Sequence, residues 1–421
     1  MPKRKTSPTV VDLFAGCGGL SLGLENAGFE PVFVNELNAD AMESYLLNRS
    51  HLEHDLRDSK RHVFNIYDIT SDQNRLEDLV SFLKSEHGEI DLVAGGPPCQ
   101  GFSGIGHRRT FTELTKLDIP SNHLYQQMAK FIEALQPRAF LFENVRGLLT
   151  ARWSPAGEKG EIWGDVQQAF RDIGGKKGLK GYAIHAQLVY AKDYGVPQNR
   201  PRVMMVGIRD DINWSSISTV AGGLLPNPVG MAPDLIDLFG DLIDENWRKT
   251  GVTLCYPSSS QNETQRLLRT GIDGTVARKG SPLADMEYSN HSDDVVKKFR
   301  YMIKHNGEIP ESMQTKKFAQ RLLPMRWGEG GPSITATSLP DDYVHFSLSR
   351  VPTVREWARL QMFPDHYLFS GKRTTGGRRR AGDPGSGDWS RDVPKYTQIG
   401  NAVPVALAHH VGLHLRKLID R

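Results

Sequence analysis

Residues 10 to about 210 alternate short apolar runs with amphipathic stretches, and no other feature restricts the possible folds of this chain as strongly. Thr9 to Phe14 reads as an apolar strand, followed by a glycine-rich turn and a helix from Leu20 to Ala27. Pro31 to Asn35 reads as a second strand ending at Glu36, with a helical stretch from Ala39 to Leu47. Leu76, Leu79, Val80 and Leu83 fall on one face of a helix over Arg75 to Ser85. Ile90 to Ala94 is a strand that runs into Gly95-Gly96-Pro97-Pro98. His123 to Leu135 is an amphipathic helix with Leu124, Met128, Phe131, Ile132 and Leu135 inward, stopped by Pro137. Ala139 to Glu143 and Val203 to Ile208 read as further strands. Such alternation predicts a doubly wound α/β fold: a parallel sheet covered on both faces by helices. It fades after Asp210. Residues 211 to 345 are rich in Gly, Pro, Ser and Asp and show no clear period, which predicts a second lobe of irregular or short-stranded structure. Order returns with a helix over Thr353 to Phe363, ended by Pro364, and a final apolar helix over Val405 to Leu415.

The composition places the chain among ordinary globular proteins. Of 421 residues, 38% are hydrophobic and 24% charged, enough for one large core and a smaller second lobe. No apolar run approaches the roughly 20 residues that a membrane-spanning helix needs. The polar, basic start of the chain lacks the apolar core of a secretory signal, and Lys3-Arg4-Lys5 reads as a solvated tail or a phosphate-touching patch. Cys17, Cys99 and Cys255 have the spacing of neither a disulfide framework nor a metal cluster, which predicts a reducing, cytoplasmic setting. A net charge of +3 says little about nucleic acid, but its distribution says more. Ser370 to Arg391 carries Lys372, Arg373, Arg378, Arg379, Arg380 and Arg391 among six glycines: a flexible basic loop, suited to phosphate contact or merely solvated.

Two segments carry chemistry. In Asp12-Leu13-Phe14-Ala15-Gly16-Cys17-Gly18-Gly19-Leu20, glycines between a strand and a helix let a ligand approach the backbone and the helix N-terminus. Gly16 and Gly18 fit the start of a dinucleotide fingerprint, but Ser21 stands where its third glycine would be. Glu36, 20 residues after Gly16, can accept from the two ribose hydroxyls of an adenosine ligand. Asp68 can accept from the adenine amino group, or serve as a plain helix N-terminal or turn residue. The second segment is Gly95-Gly96-Pro97-Pro98-Cys99-Gln100-Gly101-Phe102-Ser103. Its prolines stiffen the backbone at the carboxyl end of a strand, where open parallel sheets bind ligands. A lone cysteine is usually a small buried hydrophobe, but Pro-Cys-Gln between glycines is a poor core sequence, which favours Cys99 as a nucleophile.

At this point the chain resembles the DNA cytosine-5 methyltransferases of bacterial restriction–modification type. The first motif matches at Asp12 to Gly23 and the Pro-Cys-Gln motif at Pro98 to Gln100. Glu143-Asn144-Val145 matches the Glu-Asn-Val motif, and Gln198-Asn199-Arg200-Pro201-Arg202 the Gln-x-Arg-x-Arg motif. Arg355-Glu356 with Ala358 to Gln361 and Phe363-Pro364 matches the motif that scaffolds the recognition domain. Gln398 to Pro404 matches the closing motif beside the cofactor. The resemblance covers most of the chain and keeps the motif order; it departs in the long loop between Phe369 and Pro394 and in the stretch from Arg108 to Asn122. It implies an S-adenosylmethionine-dependent, Rossmann-like fold. Residues 1–210, completed by 394–421, would be the catalytic and cofactor-binding domain, and 211–393 the target-recognition lobe, including helix 353–363 and basic loop 370–393. The implied donor is S-adenosyl-L-methionine, bound by Phe14, Ala15, Gly16, Gly18, Gly19, Leu20, Glu36, Asp68, Ile69, Pro98 and Asn401, with no metal. The implied substrate is cytosine flipped out of double-stranded DNA. The protein would act as a monomer, as the modification half of a restriction–modification system whose endonuclease works separately.

The chemistry asked of the residues follows from the base. Carbon 5 of cytosine attacks a sulfonium methyl only after a thiolate adds at carbon 6, which assigns Cys99 covalent catalysis. Charge then gathers at N3 and O2. Glu143 can donate to N3 if burial beside Phe140-Leu141-Phe142 keeps it protonated, or it can be satisfied by an ion pair with one of the motif's arginines. The resemblance implies that Arg202 bonds O2 and that Arg200 holds the site's phosphates or carboxylate. Gly101 to Gly106 would be a mobile loop closing over DNA, with His107, Arg108 and Arg109 meeting phosphates or lying free on the surface. Three competing readings are weaker. A tRNA-directed relative would carry a Cys-Phe-Thr tripeptide, absent here; a non-catalytic DNA-binding relative would lose the nucleophile or Glu-Asn-Val; a nicotinamide dehydrogenase is disfavoured by Ser21 and Pro97-Pro98-Cys99-Gln100.

Overall fold

The computed structural model describes residues 7–98, 119–175, 178–213, 223–230, 232–314, 320–326, 342–374 and 392–419. Its centre is a seven-stranded sheet. In chain order the strands are β1 (Thr9–Leu13), β2 (Glu30–Asn35), β3 (His62–Val63), β4 (Leu92–Gly95), β5 (Ala139–Val145), β6 (Tyr182–Tyr190) and β7 (Pro201–Arg209). Their spatial order is β3-β2-β1-β4-β5-β7-β6. The first five strands run parallel, as the alternation predicts. β7 does not: it is antiparallel to both β5 and β6, so the sheet is mixed rather than purely parallel. The reason is the connection. β6 and β7 are joined by residues 191–200, a turned segment through Ala191–Asp193 with no helix to carry the chain back across the sheet as a parallel pair requires. β6 itself escaped the sequence reading because it is an edge strand with polar His185 and Gln187 between its apolar residues.

Helices α1 (Gly19–Asn26), α2 (Ala39–Leu47), α3 (Tyr67–Thr70), α4 (Gln73–His87), α5 (Leu124–Leu135) and α6 (Glu161–Arg171) connect the strands, and α6 too went unread. Two apolar layers result. Val10, Leu92, Ala94, Leu141, Met204 and Val206 face α1 and the C-terminal helix. Val11, Leu13, Val93, Phe140 and Phe142 face α4, α5 and α6. Successive side chains of a strand point to opposite faces, so Val10 and Val11 belong to different layers.

The second half carries α7 (Leu235–Phe239), α8 (Glu263–Arg269), α9 (Asp293–Lys304), a two-stranded parallel ladder of β8 (Arg321–Leu322) and β9 (Tyr343–Val344), then α10 (Val354–Leu360), α11 (Lys395–Asn401) and α12 (Val405–Ile419). Among the described residues of 211–345 the structure is irregular or short-stranded, as expected, apart from the three helices α7, α8 and α9. α9 buries Val296, Phe299 and Met302 on one face and carries Asp293, Asp294, Lys297, Lys298, Arg300 and Lys304 among its other positions. α12 returns to the sheet and packs on α1. A Cβ at Gly23 would lie 2.4 Å from Ala408 Cβ, so only glycine allows this approach. α10 is buried on every side, between Leu235 and Phe239 of α7, Tyr396 and Ile399 of α11, and Cys17. Among the described residues no helix is long and apolar enough to cross a membrane.

Candidate active site

Because β1 to β5 are parallel, their carboxyl ends meet at one edge. Phe14 leaves β1, Glu36 leaves β2, the turn into α3 follows β3, Gly96 to Pro98 leave β4, and Glu143 to Val145 end β5. The turn after β1 has left-handed backbone at Phe14 (φ 57°), Gly16 (φ 58°) and Gly18 (φ 87°). Asn35 and Glu36 hold it from the side. Phe14 N donates to Asn35 Oδ1 (3.3 Å), Ala15 N to Asn35 O (2.9 Å) and Gly16 N to Glu36 Oε2 (2.8 Å). Glu36 Oε1 accepts from Asn38 N (2.8 Å), which ties the same carboxylate to the start of α2. Each oxygen keeps a lone pair for a ligand hydroxyl. Burial raises the Glu36 carboxyl above its ordinary range, and the Asn38 and Gly16 amides pull it back.

The glycines divide by task. A Cβ built on Gly16 meets nothing within 4 Å, so this residue faces open space where a ligand can approach. Gly18 and Gly19 answer to packing instead. A Cβ at Gly18 would meet Tyr367 Oη at 2.7 Å and Arg49 Nη1 at 2.9 Å, and one at Gly19 would meet Val403 O at 2.5 Å. Leu20 is buried against α12. Asp68 is exposed in the first turn of α3 and Ile69 half-buried; the Asp68 amide donates to Asn65 O (3.0 Å). Asn401 is exposed at the end of α11. Leu37, 71% exposed beside Glu36, adds an apolar surface at this edge that the sequence reading passed over.

Cys99 lies outside the described residues, as do Gly101 to Gly106, His107, Arg108 and Arg109. Its neighbours are described. Pro98 is exposed, and Pro97 is buried with its carbonyl accepting from Asn144 Nδ2 (3.1 Å), so the Glu-Asn-Val motif grips the backbone that carries the cysteine. Glu143 is 8% exposed and pairs with Arg202, Oε1 to Nε 2.7 Å. Burial pushes its carboxyl up, while the Arg202 and Arg200 guanidiniums pull it down. The ion pair is therefore present together with the raised affinity for a proton. The reversal of β7 makes this possible: Arg202 stands opposite Val145, so the start of β7 meets the end of β5 at the site edge. Arg200 is 1% exposed, and its Nη2 donates to Gly400 O (2.7 Å) and Ala402 O (2.9 Å). It holds the closing motif and faces the Glu143 carboxylate electrostatically; such burial keeps it from DNA phosphates. Of the other cysteines, Cys17 is fully buried and its thiol is pushed up to about 12 by that burial, so it is inert as a nucleophile. Cys255 is exposed in the second half of the chain.

A mixed seven-stranded sheet, with a glycine turn after its first strand and a carboxylate after its second, is the fold of the S-adenosylmethionine-dependent methyltransferases. Among solved structures it is similar to a protein described as a DNA modification methyltransferase encoded within an Escherichia coli prophage (TM-score 0.67, 23% identity, 99% of this chain and 100% of that one). The family model described as C-5 cytosine-specific DNA methylase matches residues 8–417. The type II methyltransferase M.DdeI of Desulfomicrobium norvegicum is 29% identical over 95% of this chain and 86% of its own length. M.NgoPII of Neisseria gonorrhoeae is 28% identical over 99% and 100%. The chain belongs to the C-5 cytosine-specific DNA methylase family, whose activity is methyl transfer to carbon 5 of cytosine in DNA.

Proposed function

We propose that Cys99 is the nucleophile of this transfer, that Glu143 and Arg202 polarise the flipped cytosine, and that the chain is the modification half of a type II restriction–modification system. The observation that carries the reading is Glu143: a buried carboxyl with raised proton affinity, beside two arginines and next to the strand end that leads into Cys99. The thiolate adds to carbon 6 and its electron pair moves into the ring. Glu143 gives its proton to N3, and Arg202 turns from Glu143 toward O2 as that carboxyl becomes occupied with the base. S-adenosyl-L-methionine supplies the electrophilic methyl group when bound. The open space over Gly16 and the free lone pairs of Glu36 fit its adenosine moiety, with Asp68, Ile69, Pro98 and Asn401 around it. Loss of the carbon 5 proton to bound water lets the thiolate leave, and N3 returns its proton to Glu143.

Residues 211–393 would read the DNA sequence, and the protein would work in the cytoplasm as a monomer, separately from its endonuclease. The type II relatives support the restriction–modification role, and a DNA family favours duplex DNA over tRNA as substrate. Duplex DNA carrying 5-fluorocytosine at the target tests the central claim. With S-adenosylmethionine present the chain should form an adduct that survives denaturing electrophoresis, because fluorine does not leave as a cation in place of the proton. Cys99→Ser should form none, and Cys17→Ser and Cys255→Ser should form it normally. An adduct that persists in Cys99→Ser refutes the assignment.

A further inference from the structure

The turn after β1 has left-handed φ at Phe14, Gly16 and Gly18, a strained conformation at the non-glycine Phe14, and Glu36 and Asn35 brace only one side of it. The other side rests on a residue 350 positions away. Tyr367, 1% exposed, donates its hydroxyl proton to Cys17 O at 2.6 Å. Arg49, 3% exposed, donates through Nη1 to the same hydroxyl oxygen (3.1 Å) and through Nη2 to Gly18 O (3.4 Å). Arg49 is itself fixed. Glu25 Oε1 takes its Nε (2.9 Å), Tyr45 O takes Nη1 (2.8 Å), and its guanidinium lies 3.6 Å from the centre of the Tyr45 ring. Tyr367 is fixed from the other end: Arg355 of α10 donates to its carbonyl (2.8 Å) and pairs with Asp285 (3.5 Å). The space under the loop is full, as the Gly18 Cβ test shows. The Tyr367 hydroxyl is thus a strut between α10 and the carbonyl of Cys17.

We infer that Tyr367, braced by Arg49, is a positioning residue for the methyl donor: it sets the turn whose upper face, at Gly16, takes the cofactor. This rests on the reading of that turn as the donor site. Removing the hydroxyl leaves Cys17 O buried without its donor and frees the turn to relax, so the donor must reorder it on binding.

The experiment is Tyr367→Phe, with Tyr194→Phe as a matched control. Tyr194 is also buried, and its hydroxyl donates to Pro226 O at 2.8 Å rather than to the turn. Calorimetric titration with S-adenosylmethionine should show Kd raised about five- to tenfold in Tyr367→Phe, the equivalent of one buried hydrogen bond, and unchanged in Tyr194→Phe. At saturating donor, kcat and the KM for DNA should stay within about twofold of wild type, which a general loss of structure would not allow. An unchanged donor Kd in Tyr367→Phe, or an equal rise in both variants, overturns the inference alone. A wild-type chain that takes up no S-adenosylmethionine overturns the donor-site reading, and the inference with it.

Discussion

Asp12 shows how tightly the residues under the site are constrained. It is 1% exposed near the end of β1, where the Ser21 hydroxyl is a polar group facing its carboxyl. Burial raises it from 3.8 to about 7, with the Arg49 guanidinium opposing. A carboxyl that holds its proton more tightly when folded loses stability as it ionises. The penalty is absent below about pH 4, grows through the interval and is complete above about pH 7. Asp12→Asn keeps the shape and removes the charge. Wild type should therefore lose stability relative to Asp12→Asn between pH 4 and 7, by on the order of 2–4 kcal/mol from the linkage of one shifted carboxyl. Melting curves of both proteins across that range would test this, and a constant difference would mean that Asp12 does not titrate there. Glu143 shares the cause but has a use for the proton. Its carboxyl, raised by burial, is better protonated in the folded state, so the step that needs its proton should weaken as pH rises.

At the scale of elements, α10 holds the two halves of the chain together. Its N-terminus is a full capping box: Glu356 N donates to Thr353 Oγ1 (3.2 Å) and Thr353 N to Glu356 Oε2 (2.8 Å). Glu356 also takes both Arg350 nitrogens at 2.7 Å with no solvent exposure; burial pushes its carboxyl up, but the Arg350 charge and hydrogen bonds, with His345 and the Thr353 amide, together outweigh it and bring the carboxyl to about 2. The two bonds of the box differ in what their loss leaves behind. Thr353→Ala removes one cap acceptor and should cost about 1 kcal/mol. Glu356→Gln leaves the Arg350 charge buried and unpaired and should cost about 3–5 kcal/mol. Urea denaturation should rank them in that order; equal losses would mean that the ion pair adds nothing to the cap. Since the low Glu356 value is a folded-state property, its contribution is present above about pH 4.5 and disappears as pH falls toward 2. The outline of this helix was legible because Thr353, Glu356 and Pro364 mark its two ends locally. α9 and β6 were not: α9 sits in a stretch rich in Gly, Pro, Ser and Asp, and in the edge strand β6 the apolar residues run on both faces without a clean alternation.

On the scale of the whole molecule, the proposed division of labour makes a swap experiment informative. Exchanging residues 215–345 for the lobe of a relative should change the sequence methylated and keep the chemistry, as read by bisulfite sequencing of DNA from cells expressing the hybrid. An active hybrid with the old preference would put recognition elsewhere, with the loop containing Arg378, Arg379 and Arg380, outside the described residues, the next candidate. The design has one structural condition. Asp241, inside the exchanged segment, is fully buried and takes Arg359 of α10 at 2.5 Å and Arg269 at 2.6 Å, so the incoming lobe must bring a carboxylate to that point. What this chain does was determined by its sequence alone, because the informative residues are neighbours: Pro98-Cys99-Gln100, Glu143-Asn144-Val145 and the glycine turn each keep their meaning within a few positions. Local spacing also fixes which face of a helix or strand is apolar, so β1, β2, β4 and β5 and helices α1, α2, α4 and α5 could be read in order. It does not say which apolar face meets which. Only the tertiary structure decided that β7 runs backwards and so brings Arg202 to Glu143, and that Tyr367 reaches Cys17 beneath the cofactor turn. Those pairings join residues far apart in the chain, and burial of the whole core selects them, a quantity that no short stretch of sequence contains.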